Sequence, residues 1–200
     1  MAKANWAKVS PQSGSGNATI NVSSDSPNTG RNIRSTILTI TAANVPVKTV
    51  SVTQQGLADH VIFPKNMAVD KEGTPIQILG MSNSSKLTFS LGVGDLVVDL
   101  PGEYNVGGMS VQNGIAISGD PGATEAYPFS IVIDVPKNDA LETLTKQLIV
   151  KTAEGNTAVC LITQAAGEAM LEVSVTSIEL PQTGEAVSFT VTSNTSWTIS

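Results

Sequence analysis

Residues 34–56 read RSTILTITAANVPVKTVSVTQQG, and this stretch decides the fold class. Ile37, Thr39 and Thr41 alternate with Leu38 and Ile40, the period of a pleated strand whose successive side chains point to opposite faces. Ala43-Asn44-Val45-Pro46 interrupts the run with turn chemistry, and Val47, Val50 and Val52 lead from it into Thr53-Gln54-Gln55-Gly56. The spacing predicts a two-stranded hairpin. The same ending recurs in residues 128–167, PFSIVIDVPKNDALETLTKQLIVKTAEGNTAVCLITQAAG. Strands are expected there over 131–135, 147–152 and 158–163, with a turn at Glu154-Gly155-Asn156. Each copy closes on a strand followed by Thr-Gln and then glycine, so each marks the end of a repeated unit.

A second internal match joins the middle of the chain to its carboxyl end. Ser82-Asn83-Ser84-Ser85-Lys86-Leu87-Thr88-Phe89 parallels Ser193-Asn194-Thr195-Ser196-Trp197-Thr198-Ile199-Ser200. Each follows a short alternating strand, 74–79 in one case and 186–192 in the other. Residues 5–10, NWAKVS, share the tryptophan and serine of that carboxyl ending. The alignment gives three units: 1–57 holds the latter part of a repeat without its first strands, 58–167 is a full and divergent one, and 168–200 supplies the first strands of a third. The linkers, near 57–60 and 165–170, carry no proline-rich or charged spacer, so neighbouring units are expected to lie close together. Residues 138–146, NDALETLTK, open on Asn-Asp and have the polar length for about one helical turn between two strands. Little helix is expected elsewhere.

Composition agrees with an all-β reading. Apolar residues make up 40% of the 200 and charged ones only 14%, while Ser, Thr, Gly, Asn and Val crowd the chain, as many short strands with polar turns require. A formal net charge of −6 disfavours nucleic acid as a partner, because phosphate binding needs a basic face and only Arg31 and Arg34 come close together. Cys160 is the single cysteine, which leaves no intrachain disulfide, and with one histidine it cannot assemble the usual zinc ligand set. No stretch approaches the roughly 20 apolar residues of a membrane span. The opening Met-Ala-Lys-Ala-Asn-Trp carries no signal-peptide run, so the chain is expected to be made without an export leader.

Residues 5–56 resemble the BACON family of immunoglobulin-like domains, known from gut Bacteroidetes and their phages. The likeness rests on Trp6, the turn Ser10-Pro11-Gln12-Ser13-Gly14-Ser15-Gly16-Asn17, the strand Ala18-Thr19-Ile20-Asn21-Val22, the loop over 28–34 and the closing Val50-Ser51-Val52-Thr53-Gln54-Gln55-Gly56. The carboxyl segment, with Gly184 and Ser193-Asn194-Thr195-Ser196-Trp197, looks like the opening of another such domain. The middle unit departs from the pattern, with Leu87 in place of the tryptophan. The resemblance implies tandem immunoglobulin-like β-sandwich domains that serve as spacer or adhesive modules, with carbohydrate or mucin as the proposed ligand. In such sandwiches Trp6 and Trp197 are expected to point inward. The start of the chain is also similar to small virion-associated proteins of tailed phages of gut bacteria, which assemble in the host cytoplasm and need no leader. The expected role is therefore that of a phage capsid accessory protein meeting other virion proteins, and the alternative is a secreted carbohydrate- or mucin-binding module at the cell surface.

Residues that could carry chemistry have plainer uses. Asp95, Asp99, Glu103 and Asp120 could be searched for a glycosidase pair, but they lie in turn-rich segments where an acidic surface accounts for them. Asp95 with Asp99, or Asp120 beside Gly119 and Gly122, offer oxygens that calcium takes, without the spacing of a calcium loop. The glycine pairs at 14/16, 92/94 and 107/108 precede no helix and read as turns rather than phosphate cradles. His60 and Cys160 stand far apart in sequence, and Cys160 between Val159 and Leu161 reads as a buried strand residue. No catalytic centre, cofactor or metal is expected. A sugar platform needs exposed rings; Tyr104, in the segment 102–107, and Tyr127 are the candidates for a glycan or interface role, against ordinary packing.

The two partial units are complementary. A chain that continues past Ser200 is the plainer expectation; the alternative is self-association, in which residues 168–200 of one copy complete the sheet of residues 1–57 in another, as added strands satisfy unpaired backbone groups.

Overall fold

The alternation becomes strand throughout the computed structural model, which describes residues 3–200. In the first unit β1 (Ala7–Ser10) pairs antiparallel with β2 (Asn21–Ser24), and β3 (Arg34–Ile40) with β4 (Lys48–Gln54). The second pair is the hairpin expected from residues 34–56, in the register Ile37 opposite Ser51 and Leu38 opposite Val50. Each sheet has two strands, so neither covers the other fully: Ile20, Val22, Ile37, Ile40 and Val50 all remain exposed.

Residues 58–167 form the complete sandwich. Its strands are β5 (Val61–Ile62), β6 (Asn66–Val69), β7 (Pro75–Ser82), β8 (Leu87–Leu91), β9 (Glu103–Val106), β10 (Met109–Gln112), β11 (Tyr127–Asp134), β12 (Leu144–Thr152) and β13 (Thr157–Gln164). One sheet has the order β10-β9-β11-β7-β5 and the other β6-β13-β12-β8, with β6 parallel to β13 and the remaining pairs antiparallel. Period-two alternation sets the core: Tyr127, Phe129, Ile131 and Ile133 of β11 point inward against Leu148 and Val150 of β12 and Cys160 and Ile162 of β13. Phe63, Phe89, Tyr104 and Phe129 cluster there with ring centroids 5.1–6.3 Å apart. Burying each large side chain of this set contributes about 1.5–3 kcal/mol. Gly80 of β7 sits under the Phe129 ring, where a Cβ would meet the ring at 2.3 Å.

The third unit contributes a short pair, β14 (Leu171–Val173) with β15 (Val191–Ser193). The expected strand over 186–192 is thus reduced to its end. Trp197, expected to point inward, is 48% exposed, because it follows β15 in a segment that pairs with no strand. Trp6 is half-buried and is covered by the Arg34 guanidinium, 4.8 Å from its ring centroid. The helical turn expected at 138–146 does not form. Asn138 instead donates from Nδ2 to the carbonyls of Glu142 and Ala165, both at 2.9 Å, and accepts from the Ala140 amide, which holds the segment open until β12 begins at Leu144. One short 3-10 turn, Pro121–Ala123, is the helical element among the described residues.

Candidate functional site

Both tyrosines singled out from the sequence lie in the core of the complete sandwich. Tyr104 is 3% exposed, its ring 5.1 Å from that of Phe89, and burial pushes its phenol above the ordinary range. Tyr127 is 6% exposed and donates from its hydroxyl to the Ser84 carbonyl at 2.7 Å; burial pushes it up further. Neither ring offers a face to a sugar. The segment 102–107 looks like a loop because of its glycines, yet Tyr104 and Val106 alternate with Glu103 and Asn105 as a strand does, and β9 turns its two apolar residues inward.

That alternation puts a polar groove on the opposite face. Gln77 of β7, Glu103 and Asn105 of β9, Ser110 of β10 and Ser130 of β11 line an open depression of about 460 Å³. Glu103 accepts hydrogen bonds from Ser110 Oγ and, at 2.8 Å, from Gln112 Nε2, while Gln77 Nε2 donates to Ser130 Oγ at 3.3 Å. Amides, hydroxyls and one carboxylate in a row suit hydrogen bonding to a hydroxyl-rich ligand. Glu103 supplies the one carboxylate of this lining, which Pro101, Tyr104 and Val132 complete.

The other polar residues weighed from the sequence serve the scaffold. Asp95 accepts from the Thr145 amide at 2.6 Å, and that bond holds its carboxyl below the usual range. Asp120 pairs with Arg31. Cys160 is fully buried in β13 and burial pushes its thiol up, the opposite of what a nucleophile needs. His60 sits in the connection into the sandwich, with Nδ1 3.3 Å from the Ala58 carbonyl. Among the described residues no three of His, Cys, Asp and Glu come together as a metal-holding group.

Buried polar side chains converge instead at the junction of the first two units. Asn83, at the end of β7, is fully buried. Its Nδ2 donates to the carbonyls of Thr29 at 3.2 Å, Leu57 at 3.0 Å and Ala58 at 3.2 Å, and its Oδ1 accepts from the His60 amide at 2.9 Å. Arg31 donates from Nε to the Asn83 carbonyl at 2.6 Å and from Nη2 to Asp120. Backbone bonds run across the same seam, Arg31 N to Gly122 O at 2.9 Å and Asn32 N to Ala123 O at 2.8 Å. Gly30 and Gly122 permit this approach: a Cβ on Gly30 would meet Thr124 C at 2.2 Å, and one on Gly122 would meet Asn83 O at 2.0 Å. Sequence reading took Ser82-Asn83 and Ser193-Asn194 as repeat marks but missed their role; the recurrence of an asparagine directly after a strand was the available signal.

Fold and junction together define a class: an all-β protein of tandem sandwich-type units joined through buried side chains. Residues 1–55 match the model of the BACON family, described as "Putative binding domain, N-terminal", which supports a BACON-type domain at that end of the chain. Fourteen chains of solved structures match the chain. One is an endo-fucoidan hydrolase from glycoside hydrolase family 107, with 10% sequence identity and a TM-score of 0.30. That match covers 83% of this chain, which spans only 22% of the hydrolase. No curated protein matches the chain in sequence.

Proposed function

We propose that the chain is a non-enzymatic structural protein of a phage virion, a capsid accessory or decoration component whose sandwich units reinforce the shell and present surface for weak adhesion. The observation that carries this reading is the junction: the buried polar residues Asn83 and Arg31 fasten one unit to the next, a use that suits a stiff spacer. The BACON-type match at residues 1–55 supports the adhesive part of this reading. Its partners are then capsid or other virion proteins, and copies of itself. The exposed apolar side chains of the terminal units, Ile37 and Ile40 at one end and Leu171 and Trp197 at the other, supply contact surface for them. Quantitative mass spectrometry of purified virions tests the proposal. A fixed copy number relative to the major capsid protein is expected, and absence from washed particles overturns it.

The polar groove over Glu103 and Asn105 favours a second reading, a secreted carbohydrate- or mucin-binding module of a gut bacterium. On a glycan and mucin array this reading requires binding that Asn105→Ala abolishes. Silence across the array removes it.

A further inference from the structure

The junction between the first two units is built a second time, about 110 residues further on. In the first copy Asn28 Nδ2 donates to Asn32 O at 2.8 Å and Gln54 O at 3.4 Å; in the second Asn138 Nδ2 donates to Glu142 O and Ala165 O, each at 2.9 Å. These bonds shape the loop whose next residue presents a carbonyl to the following unit, Thr29 O in one case and Asp139 O in the other. Asn83 Nδ2 takes the first carbonyl at 3.2 Å and Asn194 Nδ2 takes the second at 3.2 Å. Each of these asparagines also holds the connecting segment, Asn83 through Leu57 O and Asn194 through Glu168 O at 2.8 Å. Each accepts from the first amides of its own unit, His60 N at 2.9 Å and Met170 N at 2.8 Å. The serine before each asparagine repeats as well: Ser82 Oγ donates to His60 O at 2.7 Å and Ser193 Oγ to Met170 O at 2.8 Å. The glutamine that closes each preceding unit reaches back to an equivalent carbonyl, Gln54 Nε2 to Ser26 O and Gln164 Nε2 to Pro136 O.

We infer that Asn83 and Asn194 are the pins of one repeated inter-unit joint, which sets successive units at a constant orientation and makes the array a rod of uniform step. Each pin touches three bodies: the preceding unit, the connection and its own unit. A hinge there would break all three sets of bonds at once. The bonds common to both copies are neutral, so they need neither salt nor a bound cation to form, and each copy adds an ion pair of its own, Arg31 with Asp120 in the first and Lys71 with Glu168 in the second. The copies differ in strength. In the first, Asn83 is fully buried and the Arg31–Asp120 pair is partly so, whereas in the second Leu141 holds the position equivalent to Arg31, Asn194 is exposed and the Glu168 of its ion pair is largely in solvent. This joint holds whichever role the outward surfaces serve.

Double electron–electron resonance on the 200-residue chain tests the inference. Labels replace exposed residues across the first joint, Thr39→Cys with Lys151→Cys, and across the second, Lys65→Cys with Thr192→Cys; the buried Cys160 is shielded from reagent. Each pair is expected to give one narrow distance peak that molar salt and chelator leave in place. Asn83→Ala should broaden the first pair about twofold or more, and Asn194→Ala the second alone, as loss of the pin frees the local opening. A broad first pair in the parent, or an unchanged first pair in Asn83→Ala, overturns the inference. Should Asn83→Ala fail to fold, the exposed Asn194 decides the matter: an unchanged second pair in Asn194→Ala overturns it equally.

Discussion

Replacing Gly30 by alanine tests the packing of the first joint without removing a single hydrogen-bonding group. The added methyl would sit 2.2 Å from Thr124 C and 2.4 Å from Thr124 O, both backbone atoms that cannot swing aside. Ordinary contact begins at 3.4 Å, so the two segments must part by roughly 1 Å. That displacement breaks the seam bonds Arg31 N to Gly122 O and Asn32 N to Ala123 O, now 2.9 and 2.8 Å. Each contributes about 1 kcal/mol net. The Arg31–Asp120 pair, with side chains 25% and 43% exposed, adds less than about 1 kcal/mol. The joint therefore loses about 2–3 kcal/mol, equivalent to roughly a 30- to 150-fold rise in local opening. Hydrogen exchange read by mass spectrometry should show that loss of protection over 30–34 and 122–126, while amides of β11 and β12 exchange as in the parent. Protection over 30–34 within about twofold of the parent would refute the steric reasoning.

Three further outcomes are expected. Ile131→Ala removes a side chain that is 1% exposed between the two sheets and should cost the complete sandwich about 3–4 kcal/mol in urea unfolding; a loss under about 1 kcal/mol would show that the sheets do not pack as described. Stability should fall in acid. The Thr145 amide holds Asp95, the Lys8 hydrogen bond holds Asp25 and the Lys71 hydrogen bond holds Glu168 below their ordinary values of 3.8, 3.8 and 4.5. The unfolded chain therefore binds more protons there, and their contribution, whole at neutral pH, is lost as pH drops through the lowered folded values. Asp95→Asn should flatten that acid slope in urea titrations from pH 7 to about pH 3, and an unchanged slope would contradict the assignment. The open faces of the terminal units predict association: sedimentation velocity should show concentration-dependent oligomers that Ile37→Asp weakens, and a monomer at every concentration with the parent chain would count against it.

The strands that could be read from the sequence were those with period-two alternation of β-branched and apolar residues, whether one face is buried, as in β11 and β13, or largely exposed, as in the first hairpin. The hairpin over 34–40 and 48–54 lies where Ile37, Leu38, Val50 and Val52 place it, 147–152 and 158–163 fall within β12 and β13, and 131–135 overruns the end of β11 by one residue. The misreadings share a cause, which is that local composition is outvoted by partners distant in sequence. Asn138 looks like a helix cap, but its amide is spent on Glu142 and on Ala165, the latter 27 residues away. Tyr104 looks like a loop aromatic until β10 and β11 pair on either side of β9 and fix which face is inside. Trp197 has the pattern of a core residue, yet it stands outside any strand, four residues past the end of β15, and stays about half exposed. The joint was half visible. Its asparagines recur at matching places, but only the fold brings Thr29, Leu57 and His60 to Asn83.

The constant joint is tested most directly by backbone amide residual dipolar couplings of the intact chain in dilute alignment medium. Couplings from residues 3–57 and from 58–167 should fit one alignment tensor of common orientation and magnitude, before and after added salt. Two tensors of different magnitude, the signature of units that reorient independently, would contradict a rod fastened at Asn83.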